Sequence, residues 1–138
     1  MSPSPRGRVQ ACGNDDARAR LAHARAFADT AEVVLDIEDD ASLNVASSLA
    51  ILAGIAASDA ACCATLGKRP RGQDHRDAIT LLTSVAGRGP EMGKDLARLL
   101  DLKDNAHYGV LYVSETKARQ AVRWARRMVT AAEACVLR

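Results

Sequence analysis

A chain of 138 residues, of which 48% are apolar and only 3% aromatic, is long enough for one domain with a buried core. Its 19 basic and 17 acidic residues leave a net charge of +2, which does not by itself indicate nucleic-acid binding. Alanine fills 27 positions, and valine, isoleucine and threonine form no alternating runs. The composition therefore predicts an all-α protein.

The first segment, residues 1–14, is rich in proline, glycine, serine and arginine and predicts a flexible tail. It carries no apolar segment of the kind that a signal peptide requires. A first helix is expected over residues 16–37, where apolar residues recur at helical spacing. The acidic residues at the end of this stretch are expected to form a turn and the N-cap of the next helix.

The second helix is expected to begin near Ser42, a favourable N-cap, and to stop at Gly67. It is apolar on nearly every side, which is typical of a central bundle helix or of a subunit interface. Its polar exception is Asp59, and a buried carboxylate needs a partner. Two interpretations stay open: Asp59 reaches Lys103 or His107 across the bundle, or it lies on the one exposed stripe of the helix.

A basic loop follows over residues 68–76, and within it Arg71 is a candidate phosphate contact. A third, shorter helix is expected over residues 74–85. His75, at the start of that helix, is interpreted as a packing residue. A fourth helix is expected from about Glu91 to His107, with leucines on its apolar face.

The last helix is expected to begin after Ser114, which is a good N-cap. Its apolar stripe is rich in alanine, and the opposite face carries four arginines: Arg119, Arg123, Arg126 and Arg127. These arginines either follow an RNA backbone or form an ordinary solvated helix face. Because the connections are short, we expect one domain over residues 15–138, an antiparallel bundle of four to five helices.

Four cysteines, at positions 12, 62, 63 and 135, lack the spacing of zinc ligands, so neither a metal nor another cofactor is predicted. Cys62 and Cys63 are expected to act as small buried hydrophobes. The second helix falls short of the ~20 strongly apolar residues of a membrane span. We therefore expect a cytoplasmic protein that does not engage a membrane.

The chemistry of the chain is concentrated in residues 102–109, at the end of the fourth predicted helix. Lys103 and His107 are four residues apart and share a helix face, as do Asp104 and Tyr108. Metal-free RNA cleavage needs a base for the ribose 2′-hydroxyl, an acid for the leaving oxygen and a cation for the phosphorane. Histidine suits either proton role and lysine supplies the charge. Alternatively, the segment only closes a helix.

Two stretches, residues 72–79 and residues 96–109, resemble the corresponding segments of HEPN-domain proteins, and the resemblance extends over residues 42–136. It implies an α-helical bundle that dimerises and brings two Arg-x4–6-His motifs into a shared cleft. Active members are metal-independent ribonucleases, often toxins paired with a nucleotidyltransferase-like antitoxin. Here Lys103 stands at the arginine position and only three residues separate it from His107, which is closest to a short-spaced branch of the family.

The resemblance implies a homodimer with the second and fourth helices near the dimer cleft, and an endoribonuclease of toxin–antitoxin type. His107 is then the acid or base, Lys103 the phosphate cation and Tyr108 a substrate contact. The alternative is a non-catalytic module that binds a nucleotide, RNA or a partner protein. The remaining candidate RNA or phosphate contacts are Asp104, Asn105, Arg119, Arg123, Arg127 and Arg71.

Overall fold

The computed structural model describes residues 8–72, 74–103 and 112–137, which contain five helices and two short strands. The predicted helical bundle is confirmed at this level. In chain order the elements are β1 (Val9–Ala11), α1 (Asn14–Leu35), α2 (Asp40–Leu66), β2 (Lys68–Pro70), α3 (His75–Thr83), α4 (Gly89–Asp101) and α5 (Glu115–Val136).

The core lies between the three long helices α1, α2 and α5, with α3 and α4 packed beside them. Small side chains at the contacts allow the helices to approach closely. At Gly54 of α2, an added Cβ would lie 2.6 Å from Leu99 Cδ1 of α4. The helical spacing predicted for α1 is confirmed, since its buried residues are Ala17, Leu21, Ala24, Ala28, Ala31 and Leu35.

Side-chain contacts give the directions of the helices. Arg20, early in α1, contacts Asp59, late in α2, so these two helices are antiparallel. Arg25 in the middle of α1 contacts Glu133 late in α5, while Glu32 near the end of α1 contacts Arg126 in the middle of α5, so these two helices are also antiparallel. Both α2 and α5 therefore run opposite to α1 and parallel to each other. The bundle is antiparallel only in part, because the chain crosses from α2 to α5 through α3 and α4.

Helix α2 occupies the centre, as predicted. It starts two residues before the predicted Ser42, because the carboxylate of Asp39 accepts a hydrogen bond from Ser42 N at 2.7 Å and caps the helix. This hydrogen bond lowers the pKa of Asp39. The predicted stop is confirmed, since Gly67 has a φ of 70°. By length and composition α2 could cross a membrane, but 67% of its most apolar stretch is buried in the bundle.

A small sheet joins the start of the chain to the end of α2. The strands β1 and β2 are antiparallel, with Val9 opposite Pro70, and a disulfide links Cys12 to Cys63. The structure thus differs from the expected tail over residues 9–12, and Cys63 is cross-linked rather than a small free hydrophobe. Cys62 is a buried free thiol, as expected. Strands of three residues are too short to show an alternating pattern in the sequence.

The remaining helices start near their predicted positions. Asp74 caps α3 by accepting a hydrogen bond from Arg76 N at 2.8 Å. Ser114 caps α5, as predicted. Helix α4 begins two residues before the predicted Glu91 and ends at Asp101, with Leu102 as its C-cap, so the prediction that it continues to His107 is wrong and Lys103 lies just after the helix.

Candidate functional site

A cleft of about 300 Å³ opens between the C-terminal half of α2, strand β2 and helices α1, α3 and α4. We call it the Lys103 cleft. Its apolar wall comes from α2, α3 and α4, including Ile55 and Leu100. Its charged, imidazole and hydroxyl lining residues are Arg20, Ser58, Asp59, Arg69, Asp74, His75 and Lys103.

Asp59 forms the charged floor of the cleft, and its side chain is only 9% exposed. Arg20 Nε and Arg69 Nη1 each donate to Asp59 Oδ2 at 3.0 Å. Asp59 is therefore buried rather than on an exposed stripe, and its described partners are Arg20 and Arg69 rather than Lys103, while His107 lies outside the described residues. Sequence reasoning missed both, because helical spacing links neither Arg20, on another helix, nor Arg69, on a strand, to Asp59.

Ser58 adds a buried hydroxyl to the floor of the cleft. It is 3% exposed, and its Oγ makes no hydrogen bond of normal geometry within the described residues. Its hydroxyl lies near the Cys62 thiol, one turn further along α2, and partly offsets the rise in the pKa of that thiol caused by burial. Because a buried hydroxyl without a good partner is costly, Ser58 Oγ is a natural contact for a ligand that enters the cleft.

Lys103 and His75 meet at the mouth of the cleft, where Lys103 Nζ lies 3.5 Å from His75 Nε2. His75 differs from its interpretation as a packing residue, since it is exposed at the start of α3. Asp74, the N-cap of α3, precedes His75 and also lines the cleft. A lysine ammonium beside an imidazole can hold a phosphate oxygen, and the imidazole can transfer a proton.

Four of the candidate residues, Asp104, Asn105, His107 and Tyr108, lie outside the residues that the structure describes. Lys103 is the last described residue before them and lines the cleft. Of the predicted catalytic residues, Lys103 is therefore the one that the structure places.

The candidate contact Arg71 follows β2 at the edge of the cleft. Its side chain is exposed, and its backbone N–H donates to the carbonyl oxygen of Arg8 at 3.0 Å. Arg71 thus extends the pairing of the two strands by one further hydrogen bond. Its guanidinium is not among the groups that line the cleft.

The arginines of α5 divide into paired and unpaired groups. Arg119 contacts Glu115 and Glu38, each at 3.0 Å, and these carboxylates raise its pKa. Arg123 is exposed and makes no ion pair with a residue in the described ranges. The side chains of α5 lie away from the Lys103 cleft, so the structure does not bring these predicted contacts together with Lys103.

The other two arginines of this face are held by carboxylates of neighbouring helices. Arg126 bridges to α1, with Nη2 at 2.7 Å from Asp29 and Nε at 3.0 Å from Glu32. Arg127 donates from Nε and Nη2 to the two oxygens of Asp95, at 3.2 Å and 2.6 Å. These contacts join α5 to α1 and α4, which accounts for much of the predicted basic face as packing between helices.

The second buried carboxylate is Asp95, and it forms the Asp95 cluster with Arg98 and Arg127. Arg98 Nη1 donates to Asp95 Oδ1 at 3.0 Å, and its guanidinium lies over the ring of Trp124. This cluster borders a separate cleft of about 370 Å³ between α4 and α5. Asp95 and Arg98 line this cleft, whereas Leu96 and Leu100 line the Lys103 cleft, so the two clefts lie on different sides of α4.

Within the described ranges, no group of three or more histidine, cysteine, aspartate and glutamate side chains is arranged to hold a metal ion. A scan against models of protein families and a search of curated proteins return no match for this chain. The candidate site therefore stands on its geometry: a cation, an imidazole, a buried hydroxyl and an arginine-paired carboxylate around one cleft.

Proposed function

We propose that the chain is a HEPN-like RNA-binding protein that cleaves RNA without a metal ion, as a cytoplasmic toxin does. The observation that carries this proposal is the Lys103 cleft, in which Lys103 and His75 face each other over the buried Asp59. This cleft lies where the resemblance to HEPN domains predicts chemistry, at the end of α4. No resident metal or cofactor enters the proposal.

The charge of the cleft supports phosphate as the ligand group. Three cations, Arg20, Arg69 and Lys103, line the cleft together with two carboxylates, Asp59 and Asp74, and Asp59 is shared by both arginines, so the lining carries a net charge of +1. Of these cations, Lys103 contacts an imidazole rather than a carboxylate. An RNA phosphate at the mouth of the cleft would meet this excess of positive charge, and Ser58 could donate to a group that reaches deeper.

The proposed reaction needs two proton transfers and one stabilised charge. A base removes the proton of the ribose 2′-hydroxyl, whose oxygen attacks phosphorus, and an acid protonates the departing 5′-oxygen. His107 takes one of these roles, and Lys103 stabilises the negative charge on the phosphorane. His75 is the described residue that can take the other proton role, because its ring lies beside Lys103. Tyr108 is kept as a substrate contact.

A homodimer is part of the proposal, and an exposed apolar stripe on α2 supports it. Val45 is 49% exposed and Leu52 is 37% exposed, with the half-buried Leu49 between them. The stripe leads to Ile55, which lines the Lys103 cleft. Pairing of two copies along this stripe would bring their two clefts close together, as a shared RNA site requires.

The dimer is tested by sedimentation of the purified protein and of Leu52→Glu. A charge at this position would be buried in the interface, so the variant should sediment as a monomer. Val33→Glu is the matched control, since Val33 is an exposed apolar residue of α1 outside the stripe. A monomeric parent protein, or equal sedimentation of both variants, contradicts the proposed interface.

Catalysis is tested by incubating single-stranded RNA with the protein in excess chelator. We expect cleavage that leaves 2′,3′-cyclic phosphate ends, and we expect His107→Ala to abolish it while His75→Ala lowers it by roughly 10²-fold. Intact RNA with the protein, assayed with and without a nucleotidyltransferase-like partner encoded beside it, would exclude the nuclease. Cleavage that occurs without chelator but disappears when chelator is added would exclude the metal-free mechanism.

Phosphate binding is tested separately with a matched pair of lysines, Lys94 on α4 and Lys103 just after its end. Lys103→Ala should weaken RNA binding and lower the slope of log affinity against log salt by about 1, as expected for one lost phosphate contact. Lys94→Ala is the control, because Lys94 borders the separate cleft between α4 and α5. Equal effects of the two substitutions would mean that Lys103 contributes only net charge.

The alternative is a non-catalytic module that binds RNA, a nucleotide or a partner protein. It is favoured by one observation: Lys103 stands at the position of the motif arginine and offers a point charge rather than a bidentate fork. This alternative predicts RNA affinity that survives His107→Ala in a protein that leaves RNA intact.

A further inference from the structure

We propose that the Cys12–Cys63 disulfide is a redox-modifiable site, and that its reduction by a dithiol loosens one wall of the Lys103 cleft. The inference rests on the proposed function, since it names a regulation of the same cleft. Reduction frees β1, β1 no longer supports β2, and β2 no longer holds Arg69 against Asp59.

The disulfide is placed next to the floor of the cleft. Cys63 follows Asp59 by four residues on α2, so the two side chains lie on the same face, one turn apart. Cys12 lies directly after β1, and its backbone N–H donates to the carbonyl oxygen of Gly67 at 3.0 Å. The cross-link therefore fastens the start of the chain to the end of the helix that forms the floor.

Strand β1 has few other attachments. All three of its residues are exposed, and in the described structure its backbone pairing is limited to β2 and one flanking hydrogen bond at each end, Cys12 N to Gly67 O and Arg71 N to Arg8 O. Its Gln10 Oε1 accepts a hydrogen bond from Arg69 Nη2 at 3.2 Å, while Arg69 Nη1 donates to Asp59. A two-stranded ribbon of this length is marginal without an anchor. The disulfide is the covalent anchor, and it indirectly holds Arg69 in the cleft wall.

The two sulfurs differ in access, which sets the course of the exchange. Cys12 is half-buried, whereas Cys63 is 3% exposed. A thiolate of the dithiol attacks Cys12 Sγ, a new disulfide forms there, and Cys63 leaves as a thiolate that takes a proton. The second thiol of the reductant attacks its own sulfur of the mixed disulfide and releases Cys12, which is also protonated. The protein gains two electrons and two protons, and the dithiol becomes a disulfide.

The neighbouring thiol does not compete in this exchange. Burial and, to a lesser extent, the charge of Asp59 raise the pKa of Cys62 to about 12. Cys62 thus stays protonated near neutral pH and is a poor nucleophile. In a cytoplasm, where the sequence places the protein, disulfides are characteristically transient and redox-sensing. Within the pair, Cys12 is the partly exposed cysteine through which a reductant can enter.

The redox site is tested first by trypsin cleavage after Arg71, which follows β2. We expect cleavage of the dithiothreitol-reduced protein to be at least several-fold faster than that of the oxidised protein, with unchanged helicity by circular dichroism. The Cys12→Ser variant should behave as the reduced protein in either state. Equal cleavage rates, or loss of helicity on reduction, would overturn the proposal, since the disulfide would then be inert or needed for the whole fold.

The effect on the cleft is tested by fluorescence anisotropy with a labelled single-stranded RNA. Reduction should weaken binding by roughly tenfold, which corresponds to 1.4 kcal/mol. Cys62→Ala is the matched control and should retain the full redox response. Equal affinity of both redox forms overturns the regulation of the cleft. If neither form binds RNA, the proposed function fails, and the trypsin comparison still decides whether the disulfide controls the strand pair.

Discussion

The two buried aspartates in the described part of the chain, Asp59 and Asp95, are each held by two arginines, yet the two clusters are built differently. Arg127 donates to both oxygens of Asp95, and Arg98 comes from the same helix as Asp95. Asp59 instead accepts both of its described arginine contacts on one oxygen, from residues of α1 and β2. The first cluster links α4 to α5, whereas the second links α1, α2 and β2 at the floor of a cleft.

This difference separates a structural role from a functional one. The fork of Arg127 on Asp95 uses both carboxylate oxygens, which is the strong bidentate form of the pair. The arginines on Asp59 also turn to other partners: Arg20 Nη1 lies 3.2 Å from His23 Nδ1, and Arg69 reaches Gln10. We therefore expect changes on the Asp59 side to alter ligand binding and stability, and changes on the Asp95 side to alter stability alone.

The largest expected effect comes from the disulfide, which supports only the Asp59 side. It joins residues 51 apart, and closure of a loop of that length stabilises the fold by roughly 4 kcal/mol. Cys12→Ser should lower the free energy of unfolding by up to this amount, measured by urea denaturation. Amide exchange should accelerate more at Cys12 and Arg71, which also open locally, than near Arg127, where core amides respond to global unfolding alone. Uniform acceleration across both clusters would remove the distinction between them.

A direct comparison of the two carboxylates has the next largest effect. Asp59→Ala leaves Arg20 and Arg69, which are 26% and 32% exposed, without their counter-charge, at a cost of roughly 3 kcal/mol. Asp95→Ala should cost about 1–2 kcal/mol, because its arginines are 49% and 56% exposed and regain water. Urea denaturation measures both. A larger loss of stability for Asp95→Ala than for Asp59→Ala would mean that bidentate geometry contributes more than the burial of the arginine partners.

The α5 face gives a smaller effect and tests where RNA runs. Arg123→Ala removes an exposed arginine and should reduce the salt slope of RNA binding by less than Lys103→Ala does. Arg126→Ala should leave the slope nearly unchanged, because Asp29 and Glu32 already balance that charge. If Arg123→Ala lowers the salt slope more than Lys103→Ala does, RNA binds along α5, and the ligand site lies away from the Asp59 side.

The smallest expected effect is the acid response of Asp39, which lies outside both clusters and provides a baseline. Its pKa is lowered from 3.8 by the backbone hydrogen bond of Ser42, so folding favours the charged form. The resulting stabilisation is present above pH 3.8 and is lost as the pH falls through the folded-state pKa. Thermal melts of Asp39→Ala should therefore differ from the parent near pH 7 and converge with it at the lowest pH values.

The local features of the helices were predictable from the sequence. The sequence places the starts of two helices at Ser114 and Asp74 and the end of α2 at Gly67. These positions are predictable because a cap acts on neighbours within a few residues. At α2 the sequence offers two N-caps, the acidic cluster and Ser42, and the structure selects Asp39, whose carboxylate accepts a hydrogen bond from Ser42 N, so the helix starts before Ser42. The apolar period of α1 located its buried face, because that period depends only on helix geometry.

The candidate site was predictable only in part. Lys103 was identified from its spacing to His107, and the structure places it in a cleft. His75 was read as packing, although it faces Lys103, because the two residues are 28 positions apart. No periodic pattern links residues at such a distance, so the contact could not be read from either segment alone.

The sequence by itself determined the helical class, the central position of α2 and most of the helix ends, since these follow from local propensity and periodicity. Only the tertiary structure decided which charges meet. It paired Asp59 with Arg20 and Arg69, closed Cys12 onto Cys63, and formed the Lys103 cleft from segments distant in the chain. The physical reason is that these contacts depend on how the helices pack, which is settled by the whole core rather than by any one stretch.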